Sequence, residues 1–377
     1  MRAGKSENND LDCMRCALKR IAIITWGEIY DNDQLFNSTS VINRDNTLDV
    51  WETFRSSLND KGYEVHTIDV YNSIQDVDFY VFFTFNSYWY KKIKSANLTH
   101  KTMYIAFEPE VVDPLHGKSG LKLLSKYFKY ILTWDDNYVD NKVCFKMMYP
   151  FVFNISMSDI SFDKKKLMVN ISANKSSSNS KELYSARKKV IEFYDGEEEF
   201  ELYGPGWEKE GYSSYKGLAK SKTEIYHRFK FALCLENMYG EPGYVTEKIL
   251  DCIQAGVVPV YYGASDISKY IPEGCYVHFN DFGTIEMLDA FLRGIDELRY
   301  NQYLDCIKAF LQSENTELFS PEALGNTIIS LMLQEGNDKL LSPPLLYLLA
   351  VKKLRYYHSR IRLYHHSITQ KSKQRLK

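Results

Sequence analysis

Short blocks of consecutive apolar residues alternate along this chain with stretches in which apolar residues return every three or four positions. An unbroken apolar block suits a strand covered on both faces, as in a parallel sheet, and the three-to-four spacing suits an amphipathic helix. The blocks predict strands at Arg20–Thr25, Tyr63–Asp69, Phe79–Phe85, Met103–Phe107 and Tyr130–Trp134. A second series falls at Leu167–Ile171, Phe200–Tyr203, Phe231–Leu235 and Val257–Tyr262. Helices are predicted over about 47–60, with Thr47 as N-cap and Gly62 closing it, and over Lys181–Phe193. Further helices are expected near Lys222–Arg228, from Val245 to Gln254, and at about 285–296 and 300–312. Strand alternating with helix is the signature of a doubly wound α/β sheet. The alternation runs through two cycles, the second opened by Lys164-Lys165-Lys166. The chain therefore divides into a loose leader at 1–17, one α/β domain at 18–155, a second at 156–335 and a tail at 336–377. A length of 377 residues gives both domains room for a core. No short internal repeat is present, which excludes a solenoid.

Net charge is −2 and says little, but its distribution matters. From Lys339 onward there is no Asp or Glu, while Lys352, Lys353, Arg355, Arg360 and Arg362 precede a last group of Lys and Arg. Aromatic residues alternate with them through Tyr356, Tyr357 and Tyr364, so an amphipathic helix on an anionic membrane is expected there. The acidic remainder of the chain argues against nucleic acid as a partner. The first twenty residues are polar, and no apolar run could span a bilayer. The expectation is a cytoplasmic protein, peripheral on the inner face of the cytoplasmic membrane through its tail. Five of the seven cysteines (Cys144, Cys234, Cys252, Cys275 and Cys306) sit in apolar surroundings and are expected to be reduced core thiols. Cys13 and Cys16 form a lone CxxC with no second pair to complete a zinc site.

The informative stretch begins with the apolar strand Phe229-Lys230-Phe231-Ala232-Leu233-Cys234-Leu235, which ends on the polar pair Glu236 and Asn237. A loop containing Gly and Pro follows, and a helix starts around Val245–Thr246. Strand, loop and helix N-terminus make an anion site, because the first helical N–H groups lack internal partners and the helix dipole favours negative charge. Lys248 in the first turn opposes that dipole, unless it meets a bound phosphate; Glu247 can accept from ribose hydroxyls. The plain alternative makes both ordinary surface residues of a first turn.

Asn237, then Gly243-Tyr244-Val245-Thr246-Glu247-Lys248, then Ala255-Gly256-Val257-Val258-Pro259-Val260-Tyr261-Tyr262-Gly263 resembles the signature of the alpha-1,3/1,4-fucosyltransferases, glycosyltransferase family 10. The detailed resemblance runs from about 166 to 282, and a weaker one reaches back to about 102. It implies a GT-B fold: two Rossmann-like domains facing a central cleft, with acceptor on 18–155 and donor on 156–335. It implies GDP-fucose as donor substrate and inversion at the anomeric carbon. Carried over, Lys248 contacts the pyrophosphate and Glu247 the ribose, while Asn237 and Tyr244 line the donor site. Arg187, in Ser185-Ala186-Arg187-Lys188-Lys189, matches the family arginine that also binds pyrophosphate. Ser172 and Asn174, in a loop at a strand end, are expected donor neighbours.

An inverting transfer needs a carboxylate to take the acceptor proton. Tyr104-Ile105-Ala106-Phe107-Glu108-Pro109-Glu110 supplies two at the end of an apolar strand. The resemblance selects Glu108, with Glu110 in reserve; Pro109 departs from the small polar residue of many members. Asp31-Asn32-Asp33 has the Asp-x-Asp form that holds metal in other glycosyltransferases, but a GT-B family does not require one. No metal or other cofactor is expected. The reading is thus a fucosyltransferase acting on a glycan hydroxyl, with an alpha-1,3 linkage and a bacterial surface polysaccharide or lipopolysaccharide as acceptor. The alternatives are the same fold with another nucleotide-sugar donor, or a non-catalytic nucleotide- or sugar-binding protein.

Overall fold

The computed structural model describes residues 18–334. The leader, the CxxC pair and the basic tail lie outside the described residues. Six strands form the first sheet: β1 Lys19–Ile24, β2 Tyr63–Thr67, β3 Phe79–Phe82, β4 Thr102–Ala106, β5 Tyr130–Thr133 and β6 Cys144–Lys146. All pair in parallel, in the order β2-β1-β3-β4-β5-β6, with Ile21 opposite Val65 on one side and Phe79 on the other. The second sheet holds β7 Lys166–Ile171, β8 Phe200–Tyr203, β9 Phe229–Leu235, β10 Val258–Tyr262 and β11 Val277–His278. It too is parallel, in the order β11-β10-β9-β7-β8.

The helices are α1 Asp49–Asp60, α2 Ser87–Ser95, α3 Lys118–Leu124, α4 Tyr184–Tyr194, α5 Lys222–Tyr226, α6 Glu247–Gln254, α7 Ile285–Arg293, α8 Glu297–Leu311 and α9 Pro321–Met332. Successive strand residues point to opposite faces, so each sheet feeds two apolar layers. In the first sheet, Ile21, Ile23, Val81 and Ile105 pack with Phe54 and Leu58 of α1. Ala22, Ile24, Tyr80 and Phe82 pack with α2 and α3 through Tyr90, Ile93, Leu121 and Leu124. In the second, Val169, Ala232 and Cys234 meet α6 and α8, and Met168, Phe231 and Leu233 meet α4 and α7.

Several local expectations shift. Thr47 does not cap α1: its hydroxyl donates to the Arg44 carbonyl, and Leu48 holds the cap position. The loop is fixed instead by Asn43, whose amide accepts from Leu48 N–H at 2.8 Å and donates to Asp49 at 2.9 Å. Gly62 does close α1, at φ 83°. Helix α6 starts two residues later than the pattern predicted, with Thr246 as its cap. Cys306 is exposed, while the other four described cysteines are buried. Helix α9 falls in the range assigned to the second domain but sends Leu324, Ile328 and Leu331 into the core of the first. Lys61 bonds Glu322 and Asn326 across that junction, at 2.5 and 2.8 Å.

In each sheet, strands added on opposite sides of one starting strand leave a crevice at their carboxyl ends, and ligands of open α/β sheets bind there. The crevice lies between β1 and β3 in the first sheet and between β7 and β9 in the second.

Candidate active site

A cleft of about 1090 Å³ separates the two halves. Phe107, Glu108, Tyr149 and Asn43–Asp45 line it from the first domain; Ser172, Arg187, Asn237, Tyr244, Thr246, Glu247 and Lys248 line it from the second. The second-domain group sits at the ends of β7 and β9 and at the start of α6, which places it at that sheet's crevice.

The start of α6 is organised by Glu236, whose side chain is fully buried. Its carboxylate accepts from Thr246 N–H at 3.1 Å and from Thr246 Oγ1 at 2.9 Å, and meets Lys248 Nζ at 3.0 Å. Thr246 Oγ1 in turn accepts from Lys248 N–H at 3.3 Å, the N-cap bond. Glu236 therefore sits beside the helix N-terminus that the sequence suggested for a phosphate, bonded to its cap residue and to Lys248. Burial pushes Glu236 towards the neutral acid, and Lys248 opposes it. Burial likewise works against the charge on Lys248, but Glu236 and Glu247 outweigh it and hold the ammonium protonated. Glu247 lies 3.6 Å from that ammonium with 37% of its side chain exposed to the cleft. Burial raises the pKa of Glu247; Lys248 and Lys222 outweigh that and draw it below the usual range.

Arg187, 4% exposed, comes from α4. Its Nη2 donates to the carbonyls of Leu235 and Glu236, at 2.5 and 3.2 Å, so the guanidinium caps the end of β9. Its remaining donors have no protein partner among the described residues. Lys248 and Arg187 thus present two fixed cations to the same cleft.

Glu108 faces them from the carboxyl end of β4. Two side chains tether the backbone here: Trp134 Nε1 donates to the Phe107 carbonyl at 2.9 Å, and His116 Nδ1 lies 2.7 Å from the Glu108 carbonyl. Tyr104 OH bonds His116 Nε2 at 3.0 Å, fixing the ring. Burial raises the pKa of the Glu108 carboxyl; Lys248 pulls it down and Glu247 pushes it up, for a net rise. A carboxylate with a raised pKa is a stronger proton acceptor.

The halves meet on polar and aromatic contacts beside the site. Trp134 packs on Tyr244 with ring centroids 4.5 Å apart. Lys146 Nζ donates to the Trp134 carbonyl at 2.7 Å and to Tyr270 OH at 3.0 Å, and pairs with Asp136 at 2.8 Å. Gly243, at φ 79°, fits against the Trp134 carbonyl and Lys146, where a Cβ would clash with both.

The remaining expected site residues divide. Asn237 donates to Tyr244 OH at 3.3 Å, within the cleft wall. Ser172 lines the cleft with its hydroxyl on Asn170, at 2.6 Å. Asn174 does not line it: its amide is engaged by the Gly206 carbonyl and Glu210, both at 3.0 Å. Glu110 is exposed and off the cleft, with its carboxylate against Gly117. In the Asp-x-Asp sequence, Asp33 is committed to Thr67 N–H at 2.8 Å and to Arg55 at 3.4 Å. Sequence reasoning noted Glu236 only as part of a polar pair and missed Tyr149, Lys222 and Asp251. Lys222 pairs with Asp251 at 2.8 Å on the cleft wall. The i, i+4 pattern of α6 places Asp251 beside Glu247, but nothing local marks Tyr149.

Two parallel sheets facing each other across a ligand-sized cleft define a GT-B fold, and solved structures agree. A crystal structure of an alpha1,3-fucosyltransferase aligns over 85% of this chain and 91% of its own, with TM-score 0.56 and 16% identity. One with GDP aligns over 86% and 93%, with TM-score 0.54. Residues 162–324, most of the second domain, match the family model described as glycosyltransferase family 10 (fucosyltransferase) C-term. Among curated relatives, the Helicobacter pylori alpha-(1,3)-fucosyltransferase FucT is 34% identical over 93 residues, 23% of this chain and 18% of that protein. The Arabidopsis thaliana alpha-(1,4)-fucosyltransferase is 35% identical over 77 residues, 20% and 19%. The human 4-galactosyl-N-acetylglucosaminide 3-alpha-L-fucosyltransferase FUT5 is 33% identical over 96 residues, 24% and 25%. Each match spans a quarter or less of the relative's length.

Proposed function

We propose that this chain transfers L-fucose from GDP-fucose to a glycan hydroxyl with inversion at the anomeric carbon. The observation that carries the reading is the meeting of a half-buried carboxylate from one domain, Glu108, with the cations Arg187 and Lys248 of the other in a single cleft. The acceptor oxygen bonds to the anomeric carbon as the bond from that carbon to the β-phosphate oxygen breaks. The hydroxyl proton passes to Glu108, and the bond's electron pair leaves with GDP. Fixed cations stabilise that leaving charge without reorganising. The name of the matching family and the GDP-fucose complex of a structural neighbour support the donor. Glu247 is read as the ribose contact, Tyr244 and Asn237 as donor-site wall, and no metal is assigned a role.

Turnover of a nucleotide-sugar panel tests the donor, and product linkage analysis tests the alpha-1,3 bond. Galactosyl-N-acetylglucosaminides, which the name of one relative specifies, are the first acceptors to try. A surface polysaccharide or lipopolysaccharide is the proposed natural acceptor. Glu108→Gln is expected to keep GDP affinity and to lower transfer by roughly 10²–10⁴-fold. In the parent, transfer should fall as pH drops through a Glu108 pKa above the usual carboxylate range, because the base must be ionised. Turnover of another donor but not GDP-fucose would favour the same fold with a different substrate. GDP binding without any transfer would favour a binding protein. Among the described residues no helix is long and apolar enough to cross a membrane. Peripheral attachment is proposed from the charge of the tail alone. Removing residues 342–377 should abolish sedimentation with phosphatidylglycerol vesicles, and a full chain that never sediments with them rejects it.

A further inference from the structure

Residues 18–334 carry ten more acidic than basic side chains, yet one face of the first domain is basic. Residues 86–107 and 114–134 hold eight lysines and no Asp or Glu. These stretches carry α2 and α3, which cover the same side of the first sheet. The two segments meet where Tyr90 OH donates to the Tyr127 carbonyl at 3.0 Å. Helix α2 buries Tyr90 and Ile93 and turns Tyr88, Lys91, Lys92 and Ser95 outward, the i, i+3, i+4, i+7 stripe of one helix side. Lys118, Lys122 and Lys126 stand outward along α3 and the turn after it. Lys118 and Lys122 repel each other at i, i+4, and Lys118 also opposes the dipole of α3. Such a row is a cost to the chain alone and a gain against an anionic partner. Aromatic rings stand among these cations. Tyr88 is 57% exposed, its ring lies 5.0 Å from that of Trp89, and Lys92 Nζ sits 4.4 Å from the first centroid and 4.9 Å from the second. The Asn86 side chain caps this turn by accepting from the N–H groups of both aromatic residues.

We infer that the α2–α3 face is a docking surface for an anionic lipid bilayer, with Tyr88 and Trp89 at the headgroup level and the lysines against the lipid phosphates. The surface uses none of the tail's residues and does not depend on the transfer chemistry. Lysine beside Tyr and Trp is the chemistry of a membrane interface: the rings rest among the headgroups while the ammonium groups reach the phosphates. Nucleic-acid phosphates would use the same lysines but would leave Tyr88 without an apolar contact. None of these lysines lines either cavity between the domains, so the surface suits an extended sheet of charge and not a small anion. Helix α2 starts just beyond the carboxyl end of β3, and Glu108 follows the carboxyl end of the parallel β4. The aromatic pair and the base therefore share one end of the sheet, and a bilayer on this face lies at the cleft end of the domain. One weak contact holds a protein only marginally on a membrane, and two hold it firmly. In this arrangement the tail tethers the protein and the α2–α3 face orients it.

Sedimentation of the full chain with phosphatidylglycerol vesicles tests the face. The triple variant Lys91→Gln/Lys92→Gln/Lys122→Gln should bind roughly ten-fold or more weakly, since each lysine at an anionic surface contributes a few-fold. Tyr88→Ser should weaken binding several-fold, and both variants should melt no lower than the parent. Orientation is read by tryptophan fluorescence with brominated phosphatidylglycerol. Tyr88→Trp should add a quenched signal to that of the parent, whereas Leu298→Trp, at a site 72% exposed on α8 of the second domain, should add an unquenched one. Sedimentation indifferent to the lysine and Tyr88 substitutions leaves the tail as sole anchor and overturns the face, and so does equal quenching at both reporters. Equally tight binding to neutral phosphatidylcholine vesicles removes the role of charge and overturns it. A 20-base-pair DNA duplex that binds more tightly than the vesicles, and is lost with the same substitutions, assigns the face to nucleic acid. A parent that never sediments overturns the face together with the tail, whatever nucleotide it binds.

Discussion

A lysine in the first turn opposes the helix dipole, and Lys248 is tolerated there because Glu236 meets it from the end of β9. The pair is buried on the carboxylate side and 27% exposed on the ammonium side. Removing one partner of such a pair strands the other. Lys248→Met is therefore expected to cost about 3 kcal/mol of stability, the low end for a buried pair because the lysine is partly wetted. The double variant Lys248→Met/Glu236→Gln should recover most of it. Both should lose roughly ten- to hundred-fold in GDP affinity with the charged contact. Denaturant titration and calorimetry check these together; a single variant as stable as the parent would show that the pair does not act as described. The sequence exposed Lys248 as an oddity, since one turn of helix suffices to judge it. It did not expose the partner, because a contact across twelve residues needs the loop's path.

Elements were legible wherever burial is symmetrical. The long central strands are covered on both faces and leave unbroken apolar runs, and all nine predicted strands are present within a few residues. The three-residue β6 and two-residue β11 are too short to leave such a run. Caps were less legible. Thr246 and Thr47 are both acceptable capping residues, and Thr246 takes the role with its side chain on Lys248 N–H. Thr47 loses it to the Asn43 amide, which reaches the same turn from outside. Helix α9 carries its start signals, Ser320 as cap and Pro321 in the first turn. Its destination is another matter: an apolar stripe does not say which core it fills.

Between the domains, Gly243 is tightly enclosed. It takes a left-handed φ and leaves no space for a side chain beside Trp134 and Lys146, the residues that connect the strand ending at Glu108 to the loop before α6. Gly243→Ala is expected to cost at least about 1 kcal/mol for backbone strain alone, and more as the Trp134 carbonyl gives way. Because Trp134 also holds the Phe107 carbonyl, turnover should fall further than GDP affinity. Steady-state kinetics with a parallel thermal melt checks this, and an alanine variant matching the parent in both would contradict the coupling. In this molecule the sequence by itself determined the two α/β cycles, the motif of the loop before α6 and the carboxylate at the end of β4. Those follow from local periodicity and from chain neighbours. Tertiary structure alone decided that Glu236 meets Thr246 and Lys248 at the start of α6, and that Asn174 and Glu110 stand aside from the cleft. Each of those depends on which strand ends face one another across the cleft, and that geometry exists only once both sheets have closed.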